Sequence, residues 1–182
     1  KFDYSRTDAQ TDGFVNGTYT SSASATILTL LQMINPDIPH NEGMIEPLEI
    51  IIPEGTILNA SYPKATTFGN HLCPPNADAI MRALAPAIPD NVTAGWNNLF
   101  CSLTSARDEE KDDTYVDIFF MGQKGGSGGM KGTDGYDHIG MIDASGGMVD
   151  QDYEMFEQQT PHLLKKHEYT TDSAGAGQWR GG

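Results

Sequence analysis

The sequence predicts a mixed α+β fold with short strands, two or three helices and long glycine-rich loops. Three observations lead there. Two segments, Ser22–Asn35 and Asn76–Leu84, carry apolar side chains near helical spacing between capping and stopping residues. Apolar β-branched runs such as Glu46–Ile52 are short and stop at Pro or Gly. The second half is punctuated by glycine, with half of the 20 glycines lying between Gly122 and Gly147.

Residues 1–20 hold Asp12-Gly13 and Asn16-Gly17, two dipeptides that favour tight turns, so the chain enters through a hairpin-like or irregular segment. The first helix follows, with Ser22 or Ser24 as its cap and Ala25, Leu28, Leu31 and Gln32 near helical spacing. Pro36 and Pro39 end it. Asn41-Glu42-Gly43 reads as a turn. Glu46–Ile52 reads as a buried strand stopped by Pro53-Glu54-Gly55, and Thr56–Leu58 as another short strand. A proline-punctuated loop over residues 61–75 precedes the second helix, which Asn76 or Asp78 can cap and Pro86 and Pro89 end.

Leu99–Leu103 and Tyr115–Met121 are expected strands. The charged run Arg107–Asp113 between them reads as an exposed tip, giving a hairpin with a long acidic turn. Beyond the glycine segment, Tyr153–Gln159 suits a short helix and His167–Thr171 a final strand.

A chain of 182 residues suits one domain with a real core. It starts at Lys1 and stops in a glycine run at Gly182, which reads as an excised piece of a longer polypeptide. The net charge of −14 argues against nucleic acid as a partner, because neutralising phosphates requires clustered Lys and Arg. No apolar run approaches the roughly 20 residues of a membrane span. No signal peptide is visible, and the two cysteines, Cys73 and Cys101, read as buried thiols of a cytoplasmic protein. The sequons at Asn16, Asn59 and Asn91 are then chance occurrences.

The glycine loop fails the phosphate-binding patterns. A P-loop needs Gly-Lys-Ser/Thr after its four-residue spacer, whereas Lys131 precedes Gly132. Interleaved Asp134, Tyr136, Asp137 and His138 instead suggest an ordered loop whose glycines permit positive φ or close approach to a ligand, a partner or the same fold. Asp134, Asp137 and His138 form the densest ionisable cluster, a combination suited to acid–base work or a metal. The structural alternative is a turn at Asp134-Gly135 whose carboxylate caps local amides. In the terminal run Asp172–Gly182, small residues would hold Trp179 and Arg180 rigidly, leaving Arg180 to clamp an anion or a carboxylate. The other histidines are isolated and read as structural. Asp134, His138 and Arg180 are the candidate catalytic residues.

In order along the chain stand Asn41-x-Gly43, Pro53-Glu-Gly-Thr56, Asp134-Gly135, Glu157-x-x-x-Pro161, Asp172-Ser-x-Gly-Ala-Gly177 and Arg180-Gly-Gly182. This set resembles the hydantoinase B/oxoprolinase family over nearly the whole chain, with residues 1–182 as a single domain or fragment of such a subunit. Within the family, GGSGGMKGTDGYDHIGMIDASGG and DQDYEMFEQQTPH are most similar to the α subunits of acetone carboxylases. The resemblance implies ATP-dependent carboxylation of a ketone, acetone plus bicarbonate giving acetoacetate. It also implies manganese and ATP in the full complex, a hydantoinase A-like partner carrying the ATP site, and a small third subunit. The implied metal motif lies upstream of the segment matching Phe2–Ser5, so no metal ligand is carried onto this chain and no cofactor is expected in it. Two alternatives stand beside this reading: an ATP-dependent amidohydrolase of the hydantoinase or oxoprolinase kind, and a non-catalytic assembly domain.

Overall fold

The computed structural model describes residues 1–35, 37–98, 102–109, 111–119, 124–142, 146–147 and 149–182. The observed class is α+β, with four helices and two small sheets among the described residues. The elements run β1 (Phe2–Asp3), α1 (Tyr19–Met33), α2 (Glu42–Ile45), β2 (Ile50–Ile51), α3 (Cys73–Leu84), β3 (Ser102–Asp108), β4 (Asp113–Phe119) and α4 (Tyr153–Gln159).

Helix α1 begins before the expected Ser22 because Thr18 supplies the cap. The Thr18 hydroxyl accepts from the Ser21 amide at 3.3 Å, and the Ser21 hydroxyl accepts from the Thr18 amide at 3.1 Å. This reciprocal arrangement satisfies two otherwise orphaned amides. Ser22 is instead buried, donating its hydroxyl to the Leu58 carbonyl at 2.7 Å. The buried face of α1 is Ser22, Ala25, Thr26, Thr29 and Met33, a stripe at helical spacing made largely of hydroxyl residues. Thr26 and Thr29 donate back to the carbonyls of Ser22 and Ala25 at 2.9 and 2.7 Å, so burial leaves those hydroxyls satisfied.

Helix α3 also starts earlier than expected. A 3₁₀ turn over Gly69–Leu72 feeds into it, and Pro74 sits in the first turn, where its missing amide costs nothing. Asn76 is no cap. It is buried and donates to the Ser22 carbonyl at 3.3 Å, tying α3 to α1. The helices meet at the core cluster of Met33, Ala77, Ile80, Met81 and Ile142, with Phe2, Leu30, Leu84 and Trp96 packed around it.

The expected strand Glu46–Ile52 is reduced to Ile50–Ile51, which pairs in parallel with Phe2–Asp3. The expected turn at Asn41 opens α2 instead, since the Asn41 side chain accepts from the Gly43 amide at 2.9 Å. Thr56 makes only isolated bridges to Ala9 and Asn59. The hairpin β3–β4 is present, with its register running from Ser102↔Phe119 to Asp108↔Asp113. Its ladder extends well into the charged run, so the tip is shorter than expected. Ion pairs Arg107–Asp112 and Lys111–Asp108 offset part of the negative charge of that tip. Leu99, Phe100, Cys101, Phe120 and Met121 lie outside the described residues.

Helix α4 matches expectation and is capped by Asp152, which accepts from the Met155 amide at 2.9 Å. Its buried Phe156 meets Phe119 edge-on, with ring centroids 5.1 Å apart. His162 stacks on Phe156 and places Nε2 3.3 Å from the Asp117 carboxylate, a structural role for that histidine. Residues His167–Thr171 form no strand. No helix among the described residues is long and apolar enough to cross a membrane.

Candidate functional site

The glycines of the second half are there chiefly for close approach. The C-terminal run threads between the glycine loop and the segment Asp134–His138. The Gly182 amide donates to the Ser127 carbonyl at 2.8 Å and the Ser127 amide to the Tyr136 carbonyl at 2.9 Å. The Gly135 amide donates to the Arg180 carbonyl at 2.7 Å. A Cβ on Gly126 would collide with the Gly182 carbonyl, and one on Gly135 with the Ser127 carbonyl. Side chains are therefore excluded from the interlock by backbone, not by flexible groups. Of the three occupants left open by the sequence, the glycine loop approaches another part of the same fold.

Asp134 belongs to this interlock. Its Oδ1 accepts from the Arg180 backbone amide at 2.8 Å. The carboxylate does cap an amide, but one 46 positions away along the chain. Asp134 also lines a small cavity of about 290 Å³ beside Met33, Met81 and Trp96.

His138 and Arg180 face a larger polar cavity of about 600 Å³, which Asp134 does not line. Four separate stretches contribute to it: Lys124–Gly126, Asp137–His138, Asp150–Tyr153 and the C-terminal run from His167. His138 Nε2 lies 3.1 Å from Asp150 Oδ2, and Lys124 Nζ lies 3.1 Å from the same oxygen. The His138 ring also meets Tyr169 edge-on at 5.6 Å. Desolvation pushes the Asp150 carboxyl up, but hydrogen bonds from His138 and Lys124, together with their charges, outweigh it and hold the group below its ordinary value. Across the cavity wall, the Tyr153 hydroxyl meets His167 Nδ1.

The structure thus joins His138 and Arg180 on one cavity and assigns Asp134 to the wall behind it. It adds Lys124, Asp150, Tyr153 and His167, which no local motif marks. They converge through the side-chain contacts Lys124–Asp150, His138–Asp150 and Tyr153–His167 beside the interlock, which no spacing in the sequence reveals.

Among the described residues, no group of three or more His, Cys, Asp or Glu side chains converges to hold a metal ion. The one carboxylate beside His138 already faces the Lys124 ammonium, which would repel a divalent cation. The described donor set does not fit the manganese that the family resemblance implies.

Comparison with known proteins places this fold. The hydantoinase B/oxoprolinase family model matches residues 1–182. The chain is 31% identical over 175 residues to the β subunit of caprolactamase from Pseudomonas jessenii, covering 93% of this chain and 30% of that protein. The crystal structure of ATP-dependent caprolactamase from that organism superposes with a TM-score of 0.82 at 28% identity, over 97% of this chain and 31% of the other. The B-type subunit of a putative D-/L-hydantoinase from Pseudomonas sp. strain NS671 is 32% identical over 146 residues, covering 80% of this chain and 24% of that protein. A nucleotide-free acetone carboxylase structure shares the fold, with a TM-score of 0.77 at 22% identity over 92% of this chain and 22% of its own. The chain spans less than a third of the length of each of these relatives. By the match of its full length and by these identities, the chain belongs to the hydantoinase B/oxoprolinase family.

Proposed function

We propose that this chain is part of a hydantoinase B-type subunit of an ATP-dependent hydrolase of cyclic amides, and that its polar cavity manages protons for ring opening. The observation that carries the reading is His138 pinned by Asp150 on the wall of a cavity large enough for a small cyclic amide. An amide carbonyl is a weak electrophile, so opening it near neutral pH needs activation, which ATP supplies in the ATP-dependent caprolactamase. Water must also be deprotonated as it attacks. When Asp150 accepts from the His138 Nε2–H, Nδ1 keeps its lone pair and becomes the base. Lys124 holds Asp150 in place, and Arg180 brings a permanent cation to the same wall for an anionic group of the substrate or product. The names of the sequence relatives, caprolactamase and hydantoinase, favour a cyclic amide over a ketone. ATP and manganese belong, in this reading, outside the described residues, with ATP on a hydantoinase A-like partner and a small third subunit completing the assembly.

A second reading is ATP-dependent ketone carboxylation. The similarity of residues 125–147 and 150–162 to acetone carboxylases favours it, and the fold likeness agrees with it. His138 would then remove a ketone α-proton to give an enolate that attacks activated bicarbonate.

The test is product analysis of the parent protein with its partner subunits. Incubation with ATP and a lactam or hydantoin should give ADP and the ring-opened acid. His138→Gln should lower kcat by roughly 10²- to 10⁴-fold, the range of a general base. Bicarbonate-dependent acetone consumption would transfer the site to the second reading. Unchanged turnover in the variant would leave the chain as an assembly domain.

A further inference from the structure

Two imidazoles line the same cavity, and each engages its partner through a different ring nitrogen. At His138 the carboxylate of Asp150 can only accept, so Nε2 carries the proton and Nδ1 is the free acceptor. At His167 the engaged atom is Nδ1, and its partner is the Tyr153 hydroxyl. The hydroxyl can donate to Nδ1 or accept from it; in the arrangement in which it donates, the imidazole proton sits on Nε2 and the outer atom of His167 is a donor. Both rings meet a tyrosine edge-on, His167 with Tyr153 at 5.5 Å and His138 with Tyr169 at 5.6 Å. Tyr153 is fixed at the first turn of α4, directly after its Asp152 cap.

We propose that Tyr153 and His167 form a proton-delivery pair for the departing nitrogen, facing the His138–Asp150 base across one cavity. The proposal rests on the amide-hydrolysis reading. Water forms a C–O bond to the activated carbonyl carbon, and its proton passes to His138 Nδ1. The C–N bond breaks with its electron pair going to nitrogen, and the phosphoryl group that ATP has placed on the carbonyl oxygen stays on the resulting acid until a second water releases it as inorganic phosphate. That nitrogen takes the Nε2 proton of His167 while Tyr153 passes its own proton to Nδ1. The His167 imidazole stays neutral, now protonated at Nδ1; that proton returns to the Tyr153 phenolate while water carries the His138 imidazolium proton to His167 Nε2, which restores all three groups. Phenols and alkyl amines lose protons in the same range near pH 10, so the delivery is closely matched in driving force. Neither a metal nor a redox partner is needed.

The experiment uses the parent protein assembled with its partner subunits and compares a lactam with a cyclic imide of the same ring size. The imide nitrogen is a far better leaving group and needs less help from an acid. His167→Gln and Tyr153→Phe should each lower kcat on the lactam by roughly 10²-fold or more, within the range of general acid catalysis, and change KM little. The loss on the imide should be at least tenfold smaller. Equal losses on both substrates would overturn the relay and leave the pair a structural contact. Nitrogen-15 NMR of the imidazoles gives a second readout independent of turnover. His167 should be protonated at Nε2 in the wild type and become a tautomer mixture in Tyr153→Phe. A proton on His167 Nδ1 in the wild type would also overturn the proposal. If the wild type opens neither ring, the hydrolase reading itself falls. If it opens both while the variants lose nothing, only the relay does.

Discussion

The His138–Asp150–Lys124 cluster is defined by a single carboxylate that engages both an imidazole and an ammonium group. Asp150 is held below its ordinary value, so its contribution to stability is fully present above the usual carboxylate range and disappears only as pH falls through the lowered folded value. Wild type should therefore exceed Asp150→Asn in stability from neutral pH down to about pH 4, the ordinary carboxylate value, with the gap closing below it. Denaturant melts of both proteins across pH measure this directly. A gap that does not change with pH would mean Asp150 acts through shape alone. At this scale the sequence shows His138 and Arg180 as chemically equipped side chains. It does not show Asp150, because a carboxylate 12 positions away has no local signature. Asp134 carries the opposite lesson. Its turn-forming chemistry is legible, but the amide it caps belongs to Arg180.

Among the elements, helices α1, α3 and α4 and the β3–β4 hairpin follow from the sequence pattern, while α1 and α4 start at side-chain caps and α3 at a 3₁₀ turn. Thr18 begins α1 because both its hydroxyl and its amide are engaged with Ser21. Thr18→Ala should cost about 1 kcal/mol of stability, the usual loss for an N-cap. Ser24→Ala, at an exposed helical position, should leave the melting temperature nearly unchanged. Equal effects would return the helix start to Ser24. The competing candidate Ser22 is unavailable as a cap because its hydroxyl is committed to Leu58, a contact 36 positions away. Likewise Glu46–Ile52 has strand composition, but only Ile50 and Ile51 find a partner strand, so only they pair. Propensity proposes such segments, and the supply of backbone partners decides how much of each is realised.

For the molecule as a whole, the interlock between the glycine loop and the C-terminal run is the feature that builds the candidate site. It sets Lys124, His138 and Arg180 around one cavity. A methyl group at Gly126 meets backbone that cannot rotate away. Gly126→Ala should therefore destabilise the protein by roughly 1–3 kcal/mol, as overpacking does, and lower activity in the same variant. Gly13→Ala is the control, since its Cβ would meet nothing nearer than the Thr11 side chain at 3.8 Å. Thermal melts of the two variants decide whether glycine at 126 is a packing requirement or a tolerance.

The sequence by itself determined the class of fold, helices α1, α3 and α4, the hairpin and an ordered glycine loop suited to positive φ or close approach, and its ordered motifs carried the family resemblance. The elements follow from local information: periodicity of burial, turn chemistry and the absence of side chains where backbone must come near. Only the tertiary structure decided what the glycines approach and which polar groups meet. It set the Asp134 carboxylate on the Arg180 amide, beside a separate small cavity, and brought Asp150, Tyr153 and His167 to the cavity of His138. The reason is physical. A cavity assembled from four distant stretches is fixed by backbone hydrogen bonds that join the glycine loop, residues 135–139 and the C-terminal run, and by side-chain contacts of Asp150 and Tyr153, and no spacing within any one stretch records those bonds.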